Sequence, residues 1–284
     1  MALGEGVNQR RREHSLEGRK GAGMITRKQS NGELLLIGQT DHSRLVGQIA
    51  AHWGNSDFPR PEPYDSVVRA AAYHDYGWLR YETSPLADPN SGEPYGFREV
   101  PFNQAQLDSY QQCIDWLSAI DRYSGLLVGM HRTGLWKGRY QTIEYPASKY
   151  NPRGTRPEIE ELVSRSEAWQ KNERAAIGEE TIWMNYHLLQ VWDLLGLYFC
   201  CQDPYDEYIE PVPMSYTDKN KSVRMTTKPI GAGRVTFDPY PFDVRPLRVQ
   251  ILCKRLPKTS FPDDLAFRTA YFQAEYELLH YELT

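Results

Sequence analysis

Residues 66–78 read SVVRAAAYHDYGW. Val67, Val68, Ala71 and Ala72 fall on one side of a helical period, so the stretch is expected to be a helix from Ser66 to Asp75, closed by His74, Asp75 and Gly77. That places an imidazole and a carboxylate side by side at a buried helix end. Such groups are costly on an apolar face unless they are partnered or bound to a metal. Because the chain is about to leave the helix, both side chains can turn inward, where a divalent ion needs donors converging from separate elements.

Working outward, residues 41–53 read DHSRLVGQIAAHW. His42, Leu45, Val46, Ile49 and Trp53 recur at three- and four-residue steps, with Thr40 or Asp41 as the N-cap and Gly54 as the stop. His42 then lies on the apolar face of this helix. Upstream, Asn31-Gly32 precedes the apolar run Leu34 to Ile37, a hairpin or strand signal. Residues 1–23 are polar, glycine-rich and aperiodic, and are expected to form a disordered tail.

Downstream, residues 81–103 are rich in Pro, Gly, Asn and Asp and too long for an ordinary connector, which suggests a lid or a pocket-lining loop. Helical periods return at Gln104–Ala119 and Leu126–Trp136. A polar loop with Pro152, Gly154 and Pro157 leads to a charged helix at Glu158–Asn172, and the most apolar helix lies near 180–201. From 205 onward SVRMTT, GRVTFDPYPFD, LRVQILCKRL and YELLHYELT read as strands. The expected fold is mainly α with an added antiparallel β-sheet, α+β in all: a single globular domain over 24–284, with a helical core at 40–200 and a β-rich addition at 205–284.

The 284-residue chain has a formal charge of −4 and 40% hydrophobic residues, so neither nucleic acid nor an anionic membrane is implied as partner. Arg10, Arg11 and Arg12 form the one short basic run. No apolar run reaches the ~18–20 residues of a membrane span, and no secretory leader is recognisable, so a cytoplasmic protein is expected. Cys113, Cys200, Cys201 and Cys253 show no CxxC spacing and read as reduced, packed thiols. Phosphate-loop, dinucleotide and serine-elbow motifs are missing from the sequence.

A histidine early in one helix, a His-Asp pair after small apolar residues at the end of a later one, and an aspartate in YHLLQVWDLLGLYF (186–199) together resemble the HD-domain superfamily. The resemblance spans roughly residues 40–200 and implies an HD-like helical core with His42, His74, Asp75 and Asp193 as metal ligands. The blocks QTDHS (39–43), HDYGW (74–78) and GMHRTGLW (129–136) also resemble those of a bacterial family with no known activity. His131 lies where HD proteins often place a histidine for a second metal or for substrate, and Arg132 beside it suits an anionic group.

His187 stands six residues before Asp193, about 240° around a helix, and is assigned to packing or the shell behind the metal, or to a second metal. Asp41 either caps its helix or orients a ligand. His52 is read as a helix C-terminal histidine, and His14 and His280 as bystanders. Tyr76, Trp78, Tyr95, Phe97 and Trp136 pack the core or wall a pocket.

The resemblance implies a metal-dependent hydrolase of a small molecule, a phosphate ester among the candidates. One or two ions of Mn, Fe, Zn, Co or Ni would activate a water, with Asp75 or a neighbouring histidine moving protons and Arg132 and Arg80 balancing charge. Many superfamily phosphohydrolases carry a basic residue where this chain has Trp78. Two alternatives therefore stand beside the hydrolase: a di-iron oxygenase, with His131 and His187 completing a second site, and a non-catalytic ligand- or partner-binding module. The sequence implies no oligomeric state.

Overall fold

The computed structural model describes residues 23–99, 103–143 and 156–284. The polar tail before Gly23, with His14 and the arginine run, and the loop holding Pro152 and Gly154 lie outside the described residues.

Residues 34–37 are buried along their whole length, which requires partners on both sides. They form β2 (Leu34–Ile37), held between β1 (Ile25–Lys28) and β6 (Leu247–Leu256) in a sheet ordered β1-β2-β6-β7-β5-β4-β3. The remaining strands are β3 (Glu207–Pro213), β4 (Ser222–Gly231), β5 (Arg234–Asp238) and β7 (Tyr276–Leu283). All neighbours are antiparallel except β5 and β7, which run parallel through Arg234↔Glu282 and Val235↔Leu283. The sheet is therefore mixed, and it is not confined to the C-terminal part, because the N-terminal hairpin pairs through β2 with β6. Both points correct the expected antiparallel addition.

Along β6, Leu247, Val249, Ile251 and Cys253 are buried while Arg248 and Gln250 are exposed. This period-two pattern marks a sheet covered on one face. The helices are α1 (Gln39–Ala51), α2 (Tyr64–Tyr73), the short α3 (Leu79–Glu82), α4 (Gln104–Ile120), α5 (Arg122–Trp136), α6 (Pro157–Ile177) and α7 (Glu179–Cys201); α1 and α7 pack on the sheet, and the others pack on the helices around them. One continuous core runs from Ile25 through these helices to Leu283. The architecture is α+β.

Helix α1 packs on β6, α2 and α7. Its approach to α2 is close at Gly47, where a Cβ would lie 2.7 Å from the Cβ of Ala72 and 3.0 Å from its Cα. α1 starts earlier than expected: Gly38 is its N-cap, and neither Thr40 nor Asp41 caps it. The capping role falls instead to Glu82 of α3, which accepts from the Thr40 N–H at 3.0 Å and from its hydroxyl at 2.6 Å. Asp41 pairs with Arg44 one turn on.

Besides the short α3, two elements were not foreseen. β3 is interrupted by Pro211 and carries a register shift between Ile209 and Val212. Helix α8 (Asp264–Gln273) is capped by Asp263 and packs Phe267 and Tyr271 on Leu34, Leu36 and Leu256. The loop after α3 is pinned to this second core, with the Phe261 N–H donating to the Gly92 carbonyl and Asp264 accepting from the Ala87 N–H. Its later residues Gly96 to Glu99 line a cavity of about 240 Å³ with Leu197, Tyr198 and Cys201.

Candidate metal centre

Four helices deliver the chemistry. His42 lies in the first turn of α1, His74 and Asp75 follow α2, His131 lies on α5 and Asp193 on α7, and all five are buried. Asp75 takes φ −108° and ψ 15°, which breaks the helix and opens a 3₁₀ turn at Tyr76–Trp78. Its freed backbone N–H donates to Ser43 Oγ at 3.0 Å. His42, His74 and Asp75 offer donor atoms within 4.8 Å of one another, and so do His74, His131 and Asp193. The rings of His42 and His74 are 5.3 Å apart, those of His74 and His131 4.8 Å.

Hydrogen bonds outside the centre assign the ring nitrogens. His74 Nδ1 is 2.8 Å from the Ala71 carbonyl, which can only accept, so Nδ1 carries a proton. Its Nε2 faces inward, 3.4 Å from Asp193 Oδ1 and 3.5 Å from Asp75 Oδ2, with no hydrogen bond formed. Burial alone would lower the His74 pKa, but the charges of Asp75 and Asp193 override it and raise the value to about 8. The surroundings of this nitrogen favour a cation.

His42 Nε2 lies 3.0 Å from Asp193 Oδ1, while its Nδ1 is buried without a partner. That side of the ring rests on Gly196, where a Cβ would sit 2.6 Å from His42 Cε1. Burial by itself would raise the Asp193 carboxyl; Arg139, His42 and His74 hold it well below the ordinary range instead. His131 is driven well below its usual pKa by burial, with the neighbouring His74 charge adding to the effect.

Arg132 is buried as well. Its guanidinium lies 3.6 Å from the Tyr110 ring centroid, and the Tyr110 hydroxyl donates to Asp75 Oδ1 at 3.3 Å. Trp78 packs with Tyr81 and Tyr110 next to this pair, and Tyr95 and Phe97 close the same small apolar cluster. Tyr76 stacks on Trp116, and Trp136 lies beside Arg132.

Other predicted residues stand apart. The His187 ring faces the backbone of Pro211 and Thr142, and belongs to neither group of converging donors. Arg80 is exposed on α3, His280 is exposed on β7, and His52 pairs with Asp243 at 2.9 Å.

Sequence reasoning missed Arg139 and Gln190. Gly138–Gln141 form a left-handed turn in which three consecutive non-glycine residues, Arg139, Tyr140 and Gln141, have φ of 54°, 51° and 56°. Each such residue costs about 1–2 kcal/mol relative to a right-handed conformation. The turn carries the buried Arg139 inward, where Nη2 donates to Asp193 Oδ2 at 2.7 Å and Nη1 donates to Gln190 Oε1. Gln190 was flagged by nothing more than an amide three residues before Asp193, on the same face of an apolar helix.

His74 Nε2, unbonded between the carboxylates of Asp75 and Asp193, and His42 Nε2 at 3.0 Å from Asp193 Oδ1 fit a divalent ion. The donor set suits Mn, Fe, Zn, Co or Ni. Fold and site thus define an α+β protein with a buried histidine–aspartate centre able to hold a metal. The family described as protein of unknown function (DUF3891) matches residues 24–258, and the chain belongs to it. No functionally curated protein and no solved structure matches the chain. Among the described residues, no helix is long and apolar enough to cross a membrane.

Proposed function

We propose that the protein is a metal-dependent hydrolase of a small molecule, on a helical core of the HD type, with His42, His74, Asp75 and Asp193 as the ligands. The observation that carries this reading is His74: its Nδ1 is spent on the Ala71 carbonyl, and its Nε2 stands between two carboxylates without a hydrogen bond. Metal-binding histidines are typically oriented in this way by a backbone acceptor. A bound divalent ion would supply a water of lowered pKa as nucleophile.

The protein's own groups have separable tasks. Tyr110 holds one oxygen of Asp75 and leaves the other toward His74. Arg139 and His42 fix the two oxygens of Asp193. Arg132, stacked on the Tyr110 ring, adds positive charge that favours an anionic substrate such as a phosphate ester.

A non-catalytic binding module is the second reading. It is favoured by the Arg139–Asp193 pair, which already neutralises the innermost carboxylate. Metal content by mass spectrometry, on protein purified without chelator, separates the two. The hydrolase reading expects near-stoichiometric metal, lost in His74→Ala and Asp75→Ala. Folded wild-type protein that stays metal-free after reconstitution with Mn, Fe or Zn would overturn it.

A further inference from the structure

Arginine has donors only, so the atom of Gln190 facing Arg139 Nη1 is its oxygen. The amide nitrogen of Gln190 is thereby directed at His131 Nδ1, 3.1 Å away. An amide N–H2 only donates, so Nδ1 must present its lone pair, and a neutral imidazole then carries its proton on Nε2. Reversing the amide would let Nδ1–H donate to oxygen, but it would set the Gln190 amino group against the Arg139 guanidinium. An imidazolium meets the same conflict, because both of its nitrogens are donors. His74 is wired in the opposite sense, with Nδ1–H donating to the Ala71 carbonyl and Nε2 turned toward Asp75 and Asp193.

We propose that Arg139 and Gln190 form a relay that fixes His131 as the Nε2–H tautomer, so that this histidine is a hydrogen-bond donor in the centre and not a metal ligand. One of its nitrogen lone pairs is engaged by Gln190 and the other is used by the N–H bond, which leaves none for an ion. The centre then takes one metal rather than two, which removes the histidine a di-iron oxygenase would require. A neutral imidazole donor suits an oxygen that gains negative charge as a bond breaks, such as the phosphoryl, carbonyl or leaving-group oxygen of an ester. Arg139 and Gln190 are positioning residues and act through His131.

The catalytic part rests on the hydrolase reading, whereas the tautomer does not. Long-range ¹H–¹⁵N correlation spectra of the metal-free full-length protein at pH 7 are expected to show a neutral His131 ring protonated on Nε2. A ring protonated on Nδ1, or on both nitrogens, would overturn the proposal. In Gln190→Glu the carboxylate accepts from both Arg139 and Nδ1–H, so the ring is expected to switch to the Nδ1–H tautomer; an unchanged tautomer would overturn the relay. Titration with Mn²⁺ is expected to saturate at no more than one equivalent, and two equivalents in wild type falling to one in His131→Ala would also overturn it. Failure to bind any metal would remove the hydrolase reading and leave the tautomer assignment standing.

Discussion

Arg139 Nη2 donates to Asp193 Oδ2 at 2.7 Å, joining a carboxylate on α7 to a guanidinium carried by a left-handed turn of three non-glycine residues. The pairing explains how the turn persists: the local strain is offset by a charge-assisted bond that the buried carboxylate needs. Removing the cation from a buried pair costs about 3–5 kcal/mol, because the partner charge is left uncompensated. Arg139→Ala is therefore expected to lower metal-free stability in urea unfolding by that order. Saturating metal should restore much of the loss by replacing the missing positive charge. Arg139→Gly should be the less damaging change by about 1 kcal/mol, since glycine accepts φ 54° without strain. Equal losses in the two variants would show that backbone strain at this residue is negligible.

The glycine behind His42 tests a different dependence. A Cβ at Gly196 would sit 2.6 Å from His42 Cε1 and 2.6 Å from Val46 Cγ2, inside contact distance of two well-packed groups. Overpacking of this kind costs about 1–3 kcal/mol. Because the ring is the group displaced, Gly196→Ala is expected to weaken Mn²⁺ binding by about 10–100-fold, the range seen when groups supporting a ligand are disturbed. Calorimetric titration of the folded variant checks this, and unchanged affinity would argue that His42 is not a ligand.

Much of this centre could be read in the sequence because its candidate ligands obey local rules. His42 sits on an apolar period, the His74-Asp75 pair follows alanines at a helix end, and Asp193 lies in an otherwise apolar helix. Helices α4 to α7 and the strands around 222–256 were legible for the same reason, their periods being long and clean. Arg139 could not be found this way, since nothing in GRYQ except its glycine favours a left-handed turn and the arginine's role depends on a residue far along the chain. The β5–β7 parallel pairing and the joining of β2 to β6 are long-range choices with no local signature. Strand β3 was hidden by Pro211, while α8 did carry a signal, Asp263 three residues before Ala266, whose N–H it caps at 2.8 Å.

Ser43 is expected to matter first for the backbone, although its hydroxyl also lies 3.4 Å from His74 Nδ1. Its hydroxyl accepts the Asp75 N–H where the helix has already broken, and both residues are buried. Ser43→Ala would leave that N–H without an acceptor, at a cost of about 1–3 kcal/mol. The loss should appear in denaturant midpoints with and without metal alike. A loss seen in the metal-bound protein alone would instead place Ser43 among the groups that tune the ligands.

His187 supplies a pH dependence that is independent of the centre. Burial lowers its pKa from 6.5 to about 4, while its contacts to the backbone of Pro211 and Thr142 oppose the shift only in part. The folded state thus binds a proton less readily than the unfolded chain. The associated stability is complete above pH 6.5 and is lost progressively as pH falls toward 4, by at most about 3 kcal/mol on the scale of 1.36 kcal/mol per pKa unit. Urea unfolding of wild type and His187→Gln at a series of pH values isolates this contribution as the difference between the two curves. The variant should lose less stability between pH 6.5 and 4, with the curves parallel above pH 7. If metal content fell in His187→Gln while the two curves stayed parallel throughout, His187 would belong to a metal site and not to the packing against β3.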